Sequence, residues 1–139
     1  MNTAEDEIRQ LIETCSQALN RKDLDGLFEH FTHDLRVYDV VAQLSGASAY
    51  RKLWEETLAL FGEQVGTERK DLKIYASEDV AFAHCLTRVT GVKSDNENAK
   101  SWLRTTICFR KVAGQWKIAH EHVSLPFDPQ TRQPTFIRD

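Results

Sequence analysis

The chain has 139 residues, 41% of them hydrophobic and 28% charged, with a formal net charge of −3. That is the size and make-up of one ordinary globular domain, long enough to bury its own core. It leaves no basic footprint for nucleic acid and no apolar run near the roughly 18 residues a membrane helix needs, and the scattered Cys15, Cys85 and Cys108 form neither a disulfide framework nor a zinc knuckle.

The N-terminus, running through Glu5, Asp6 and Glu7, lacks the basic start and apolar centre of a signal peptide, which predicts a cytoplasmic protein. A first helix is expected from about Thr3 to Arg21. Ile8, Leu11, Ile12, Cys15, Ala18 and Leu19 recur at helical spacing, Thr3 can cap the start, and the acidic residues suit the positive end of the helix dipole. A short second helix from Asp23 carries Leu24, Leu27, Phe28 and Phe31 on its apolar face. Leu35 to Val40 alternates as a strand does, with Leu35, Val37 and Asp39 on one face. A third helix begins near Ser45-Gly46 and ends at Gly62, a suitable C′ residue; Tyr50, Leu53, Trp54, Thr57, Leu58 and Phe61 form its stripe.

The rest reads as strand. A weak strand at about Glu68 to Ala76 precedes Val80 to Gly91, whose polar tip at Lys93 to Asn98 reads as a hairpin loop. Ser101 to Lys111 follows, turns at Val112 to Gln115, and returns as Trp116 to Leu125. Sequential hairpins after helices make an α+β fold of one domain over residues 1–126, with a tail at 127–139 that is either an arm over a partner subunit or frayed.

The alternation singles out several residues. Asp39 shares a face with Leu35 and Val37, so its carboxylate points where apolar groups point. There it is either a general base with a raised pKa or simply the residue that opens the following loop. Trp116, Ile118, His120, His122 and Ser124 share a face that runs from apolar to polar, as at a core opening into a pocket. Its histidines could move protons, orient a ligand or be plain structural hydrogen-bonders. Phe82, His84, Leu86 and Arg88 share another face; His84 and Arg88 could add positive charge to the same cavity, or Arg88 could pair with a carboxylate. An H-x-H pair can hold a metal, but no zinc-type spacing accompanies it; no metal and no cofactor are expected, and no phosphate loop or nucleophile elbow is present. The opposite row on the Val80 strand, Ala81, Ala83, Cys85 and Val89, is apolar enough to bury against a second subunit.

The segment Ala18-Leu19-Asn20-Arg21-Lys22-Asp23-Leu24-Asp25-Gly26-Leu27, followed by Phe31, Val37-Tyr38-Asp39 and Ser45-Gly46, resembles the opening of ketosteroid isomerase-like proteins. Arg104-Thr105-Thr106 through Trp116-Lys117-Ile118 to His120-Glu121-His122-Val123-Ser124 resembles SnoaL-like proteins, also of the nuclear transport factor 2-like superfamily. The resemblance spans about residues 3 to 126. It implies a curved, mixed and mainly antiparallel sheet wrapped around three helices of the N-terminal half, a deep small-molecule pocket and a symmetric homodimer. It places Asp39 where the isomerases keep their general base, and puts Cys15 and Ile107 where they keep two oxyanion donors. It also turns Phe82, His84, Leu86, Arg88, Ile118, His120 and His122 inward. The expected site is therefore Asp39, His120 and His122 as catalytic groups, with His84, Arg88, Phe82, Leu86, Trp54, Ile107 and Ile118 around the ligand. This fold also carries non-catalytic binding and assembly modules, so the function implied is a ligand-binding pocket that is either an Asp-based lyase, isomerase or hydrolase or has no chemistry.

Overall fold

The computed structural model describes residues 3–92 and 100–138. Helix α1 (Ala4–Asn20) starts at a capping box: the Asp6 backbone N–H donates to Thr3 Oγ1 at 3.1 Å, and the Thr3 backbone N–H donates to the Asp6 carboxylate at 3.2 Å. Two donors that a helix start leaves orphaned are satisfied in this way. The whole expected apolar stripe of α1 is buried. Helix α2 (Leu24–Phe28) is little more than one turn, capped by Asp23 onto the Gly26 N–H. A side chain at position 26 would strike that capping carboxylate.

Phe31 does not belong to α2. It opens strand β1 (Phe31–Tyr38), which pairs with the short β2 (Gln43–Ser45) ahead of helix α3 (Ala47–Leu58). Helix α3 also stops short of Gly62, because Phe61 is buried to 5% exposure and already pairs with Val92 in the sheet. Burial of that ring in a sheet overrides the helical period. Phe61 and Gly62 thus begin β3 (Phe61–Ala76), of which the weak strand expected from Glu68 is only the second half.

Strands β4 (Val80–Val92), β5 (Leu103–Val112) and β6 (Gln115–Ser124) complete a six-stranded sheet of order β2-β1-β6-β5-β4-β3. Only β1 and β6 run parallel. The fold is α+β, with a mixed and mainly antiparallel sheet and its helices in the N-terminal half. The β5–β6 turn carries positive φ at Ala113 (53°) and Gly114 (81°), the mirror-image geometry that suits a twisted hairpin. Helix α1 lies against β3 and β6 and α3 against β1, so one sheet face is covered; the core between them includes Ile8, Leu35, Val37, Ala83, Phe109 and Ile118.

The expected loop at Lys93 to Asn98 lies outside the described residues. After residue 126 the chain forms strands β7 (Phe127–Asp128) and β8 (Gln133–Pro134), and it returns to the residues just before its own β5, where Trp102 bridges Ile137 and the Ile137 N–H donates to Ser101 Oγ at 2.8 Å. Among the described residues no helix is long and apolar enough to cross a membrane.

Candidate functional site

Between the helices and the sheet lies a cavity of about 280 Å³. Ile12, Cys15 and Ser16 of α1 and Tyr50, Leu53 and Trp54 of α3 form one side. Strands β1, β3, β4, β5 and β6 form the other. The lining is mostly apolar, and its titratable members are few: Asp39, Tyr50, Glu121, Arg69, Arg88, Glu68 and Cys15.

A single backbone irregularity decides which residues of β6 reach this cavity. Trp116 and Ile118 point inward and are buried, as alternation predicts. Phe109 pairs with Ile118, but the next residue of β5 back along the chain, Cys108, pairs with His120. Ala119 is therefore an extra residue on β6, a β-bulge, and one extra residue reverses every later side chain. Beyond it Glu121 and Val123 line the cavity, and His120 and His122 turn to the opposite face. There both rings meet Tyr38 edge-on at 5.1 and 5.6 Å, and His120 Nδ1 lies 2.7 Å from the Arg36 carbonyl oxygen.

Strand β4 is likewise turned over relative to the expectation. Ala81, Ala83 and Cys85 form its buried row, facing the helices instead of a second subunit. Phe82, 47% exposed, stacks with Tyr75 on the outer face, and His84 stacks behind it on the same ring. Leu86 is not among the cavity's lining residues. Both rows of this strand are apolar, and what decides between them is room: helices pack close over Ala and Cys, not over Phe and His. Arg88 still reaches the rim of the cavity, where it is ion-paired to Glu68 at 2.9 Å and stacked over Trp102 at 4.2 Å. Thus Asp39, Trp54, Ile107, Ile118 and Arg88 come together, and Phe82, His84, Leu86, His120 and His122 stand apart from them. Among the described residues no three of His, Cys, Asp and Glu cluster closely enough to hold a metal ion.

The residues that pattern reading missed are Glu121, Tyr50 and Arg69. Tyr50 was placed on the apolar stripe of α3, and only its hydroxyl sets it apart from a core ring. Its ring is 6% exposed. Burial pushes the Glu121 carboxyl upward, and the charge of Asp39 adds to this; hydrogen bonding to Tyr50 and the charge of Arg69 oppose it. Burial also raises Asp39, against backbone N–H groups of Val41 and Val40 that favour its charged form. The Tyr50 hydroxyl is pushed well above its ordinary value by burial, then by Glu121. Cys15 is pushed up to about 12, chiefly by burial, which favours its thiol form.

Two carboxyls with raised affinity for protons thus share one apolar cavity. Burial leads at both; backbone N–H groups oppose it at Asp39, and Tyr50 and Arg69 oppose it at Glu121. Two carboxyls in different surroundings of one cavity can supply a base and an acid to one site.

The model of a family described as the SnoaL-like domain matches residues 8–128. No curated protein matches the chain. Among solved structures, an NTF2-like protein of unknown function from Pseudomonas putida is 36% identical, with 96% of this chain and 94% of that one covered and a TM-score of 0.86. A protein from Streptomyces avermitilis named as a candidate dehydratase of the NTF2-like family is 17% identical, with 86% and 94% covered and a TM-score of 0.74. One from Novosphingobium aromaticivorans, named as a candidate scytalone dehydratase, is 21% identical, with 84% and 80% covered and a TM-score of 0.66. At these last two identities the likeness is one of fold.

Proposed function

The chain belongs to the SnoaL-like domain family, and we propose that it is an enzyme that moves a proton on a small, largely apolar carbonyl or hydroxyl compound, as a lyase, isomerase or hydrolase. The observation that carries this reading is the pairing of Asp39 with Glu121 in the cavity, both raised by burial, with Tyr50 beside Glu121. Asp39 takes a proton from carbon or from a bound water, and Glu121 gives one to the oxygen that gains electrons. In a dehydration the C–H pair becomes the new C=C bond, the C–O bond breaks, and the leaving oxygen departs with the Glu121 proton as water. The dehydratase names of the Streptomyces and Novosphingobium neighbours point the same way. A cavity of about 280 Å³ is at the small end of ligand sites, which favours a compact substrate.

Proton abstraction next to a carbonyl can be read without knowing the natural substrate. Wild-type protein in D2O is expected to speed deuterium entry into small cyclic ketones, followed by mass spectrometry. Asp39→Asn should lower that rate by at least about a hundredfold, the usual worth of a positioned base. Exchange by Asp39→Asn at the wild-type rate, or no exchange by wild type above buffer, would sink the reading and leave the cavity as a binding site without chemistry.

We also propose that a second copy of the chain covers the outer sheet face. Tyr75, Val80 and Phe82 stand there 53%, 60% and 47% exposed, an apolar group that the helices, lying on the other face, leave uncovered. A two-fold contact would bury each copy's group against the other's. Sedimentation at micromolar concentration should show a dimer for wild type and a monomer for Phe82→Asp; a wild-type monomer would remove the proposal.

A further inference from the structure

We propose that the ligand of this cavity carries a carboxylate and that Arg69 holds it. This rests on the reading of the cavity as a ligand site, and it adds the substrate class: a small acid with an apolar body.

Arg69 projects from β3, where its backbone pairs with Thr87, and it lines the cavity. Its guanidinium donates to Ser16 Oγ of α1 at 3.0 Å and to Cys85 Sγ of β4 at 3.5 Å. Both acceptors are neutral, the second a thiol held protonated by burial. Among the described residues these are its two side-chain acceptors, fewer than the five N–H donors of a guanidinium. The other arginine of the cavity, Arg88, has its carboxylate in Glu68. Among the described residues Arg69 forms no ion pair. It also borders an outer cleft that contains Asp6, Glu13 and Asp71, and none of these pairs with it.

A guanidinium drawn partly out of water, with two neutral hydrogen-bond acceptors and no ion pair among the described residues, carries a desolvation cost that an anion would offset. Besides Glu68, which Arg88 holds, the carboxyls of the cavity are Glu121, whose upward shift the charge of Arg69 opposes, and Asp39; burial raises both, and among the described residues neither forms an ion pair with Arg69. The planar fork of an arginine fits the two oxygens of a carboxylate. A carboxylate on Arg69 would lay the apolar body along the walls of α1 and α3 and leave the far end of the molecule to Asp39 and Glu121. At about 280 Å³ the cavity has room for an acid of roughly ten non-hydrogen atoms, taking a liquid water's share of volume as the measure.

Calorimetric titration with two matched pairs tests this: phenylacetate against phenylacetamide, and hexanoate against hexanamide. In wild type each acid should bind at least about tenfold tighter than its amide, as a charge-assisted two-oxygen contact implies. Arg69→Gln should bring each pair to within about twofold, and Asp39→Asn should keep the preference. The Nε–H resonance of Arg69 in the wild-type protein gives a second measurement that requires no variant to fold, and it should move on addition of phenylacetate and stay put with phenylacetamide. An acid that binds no tighter than its amide, a preference retained in Arg69→Gln, or an Nε–H that moves equally with both overturns the proposal. Loss of the acid preference with Asp39-dependent exchange intact would sink this inference alone; the reverse pattern would sink the proposed chemistry alone.

Discussion

Glu121→Gln is expected to be more stable than the wild-type protein at about pH 8, by about 1–2 kcal/mol, and to lose about a hundredfold in ketone exchange. Both effects come from one cause. The folded chain raises the affinity of Glu121 for its proton above the ordinary 4.5, chiefly by burial, whereas the unfolded chain does not. Between the unfolded and folded values the native state binds more protons than the unfolded one, so stability falls as pH rises through that interval. Below the unfolded value both states are protonated and the penalty vanishes. Glutamine keeps the shape of the neutral acid and has no charge to bury. The gain should therefore be absent at about pH 4, where wild type and variant both carry a neutral side chain, and should grow with pH until the wild-type carboxyl is ionised.

The kinetic half separates two roles that stability cannot. Glutamine can still donate a hydrogen bond to a developing oxyanion but cannot deliver a proton. A loss well under tenfold would make Glu121 a hydrogen-bond donor, and a hundredfold loss makes it the acid. Urea titrations at the two pH values check the first claim; equal stability of variant and wild type at pH 8 would mean that Glu121 is paired or hydrated in a way that cancels its burial. Asp39→Asn should show the same pH trend at smaller size, because the backbone N–H groups of Val40 and Val41 already favour the charged form of Asp39.

Much of the fold could be read from local chemistry. Thr3 as the first cap, the stripe of α1, the short helix after Asp23 and the turn at Val112 to Gln115 each follow from a few neighbouring residues, and the structure has all of them. Asp39 could be read too, because β1 alternates regularly from Leu35 onward and both Leu35 and Val37 are fully buried. What could not be read is which of two rows faces in. On β4 the rows Ala81-Ala83-Cys85 and Phe82-His84-Leu86 are both acceptable interiors by composition. Only the closeness of the helices selects the smaller row, and that is a tertiary fact. Arg69 was missed because β3 pairs irregularly with β4 between Lys70 and Lys73, which breaks the two-residue period that would have drawn attention to it.

Deletion of Ala119 is expected to keep Glu121 in the cavity, because the residue removed is the extra one. Ile118 pairs with Phe109 and His120 with Cys108, and without Ala119 the same pairs become neighbours in unbroken alternation, with Ile118 inward, His120 outward and Glu121 inward. Trp116 and Ile118, 7% and 2% exposed, anchor the first half of the strand in the core. The second half keeps its faces: Glu121 stays between Ile107 and Val37, its partners on β5 and β1, and His120 and His122 stay beside Tyr38. What the deletion removes is the local bend of the bulge, at a cost of about 1–3 kcal/mol. Ala119→Gly keeps the residue count and should cost under about 1 kcal/mol, which separates the bulge from the alanine side chain. Urea midpoints of the two variants and ketone exchange by the deletion variant decide the point. Exchange within about tenfold of wild type is expected; a loss of about a hundredfold, the worth of a missing acid, would show that the bend of the bulge, and not the facing of Glu121 alone, positions the group. In the chain with Ala119 present, unbroken pairing would turn His120 and His122 inward, so the bulge is what places an acid, in place of two histidines, in the cavity with Asp39.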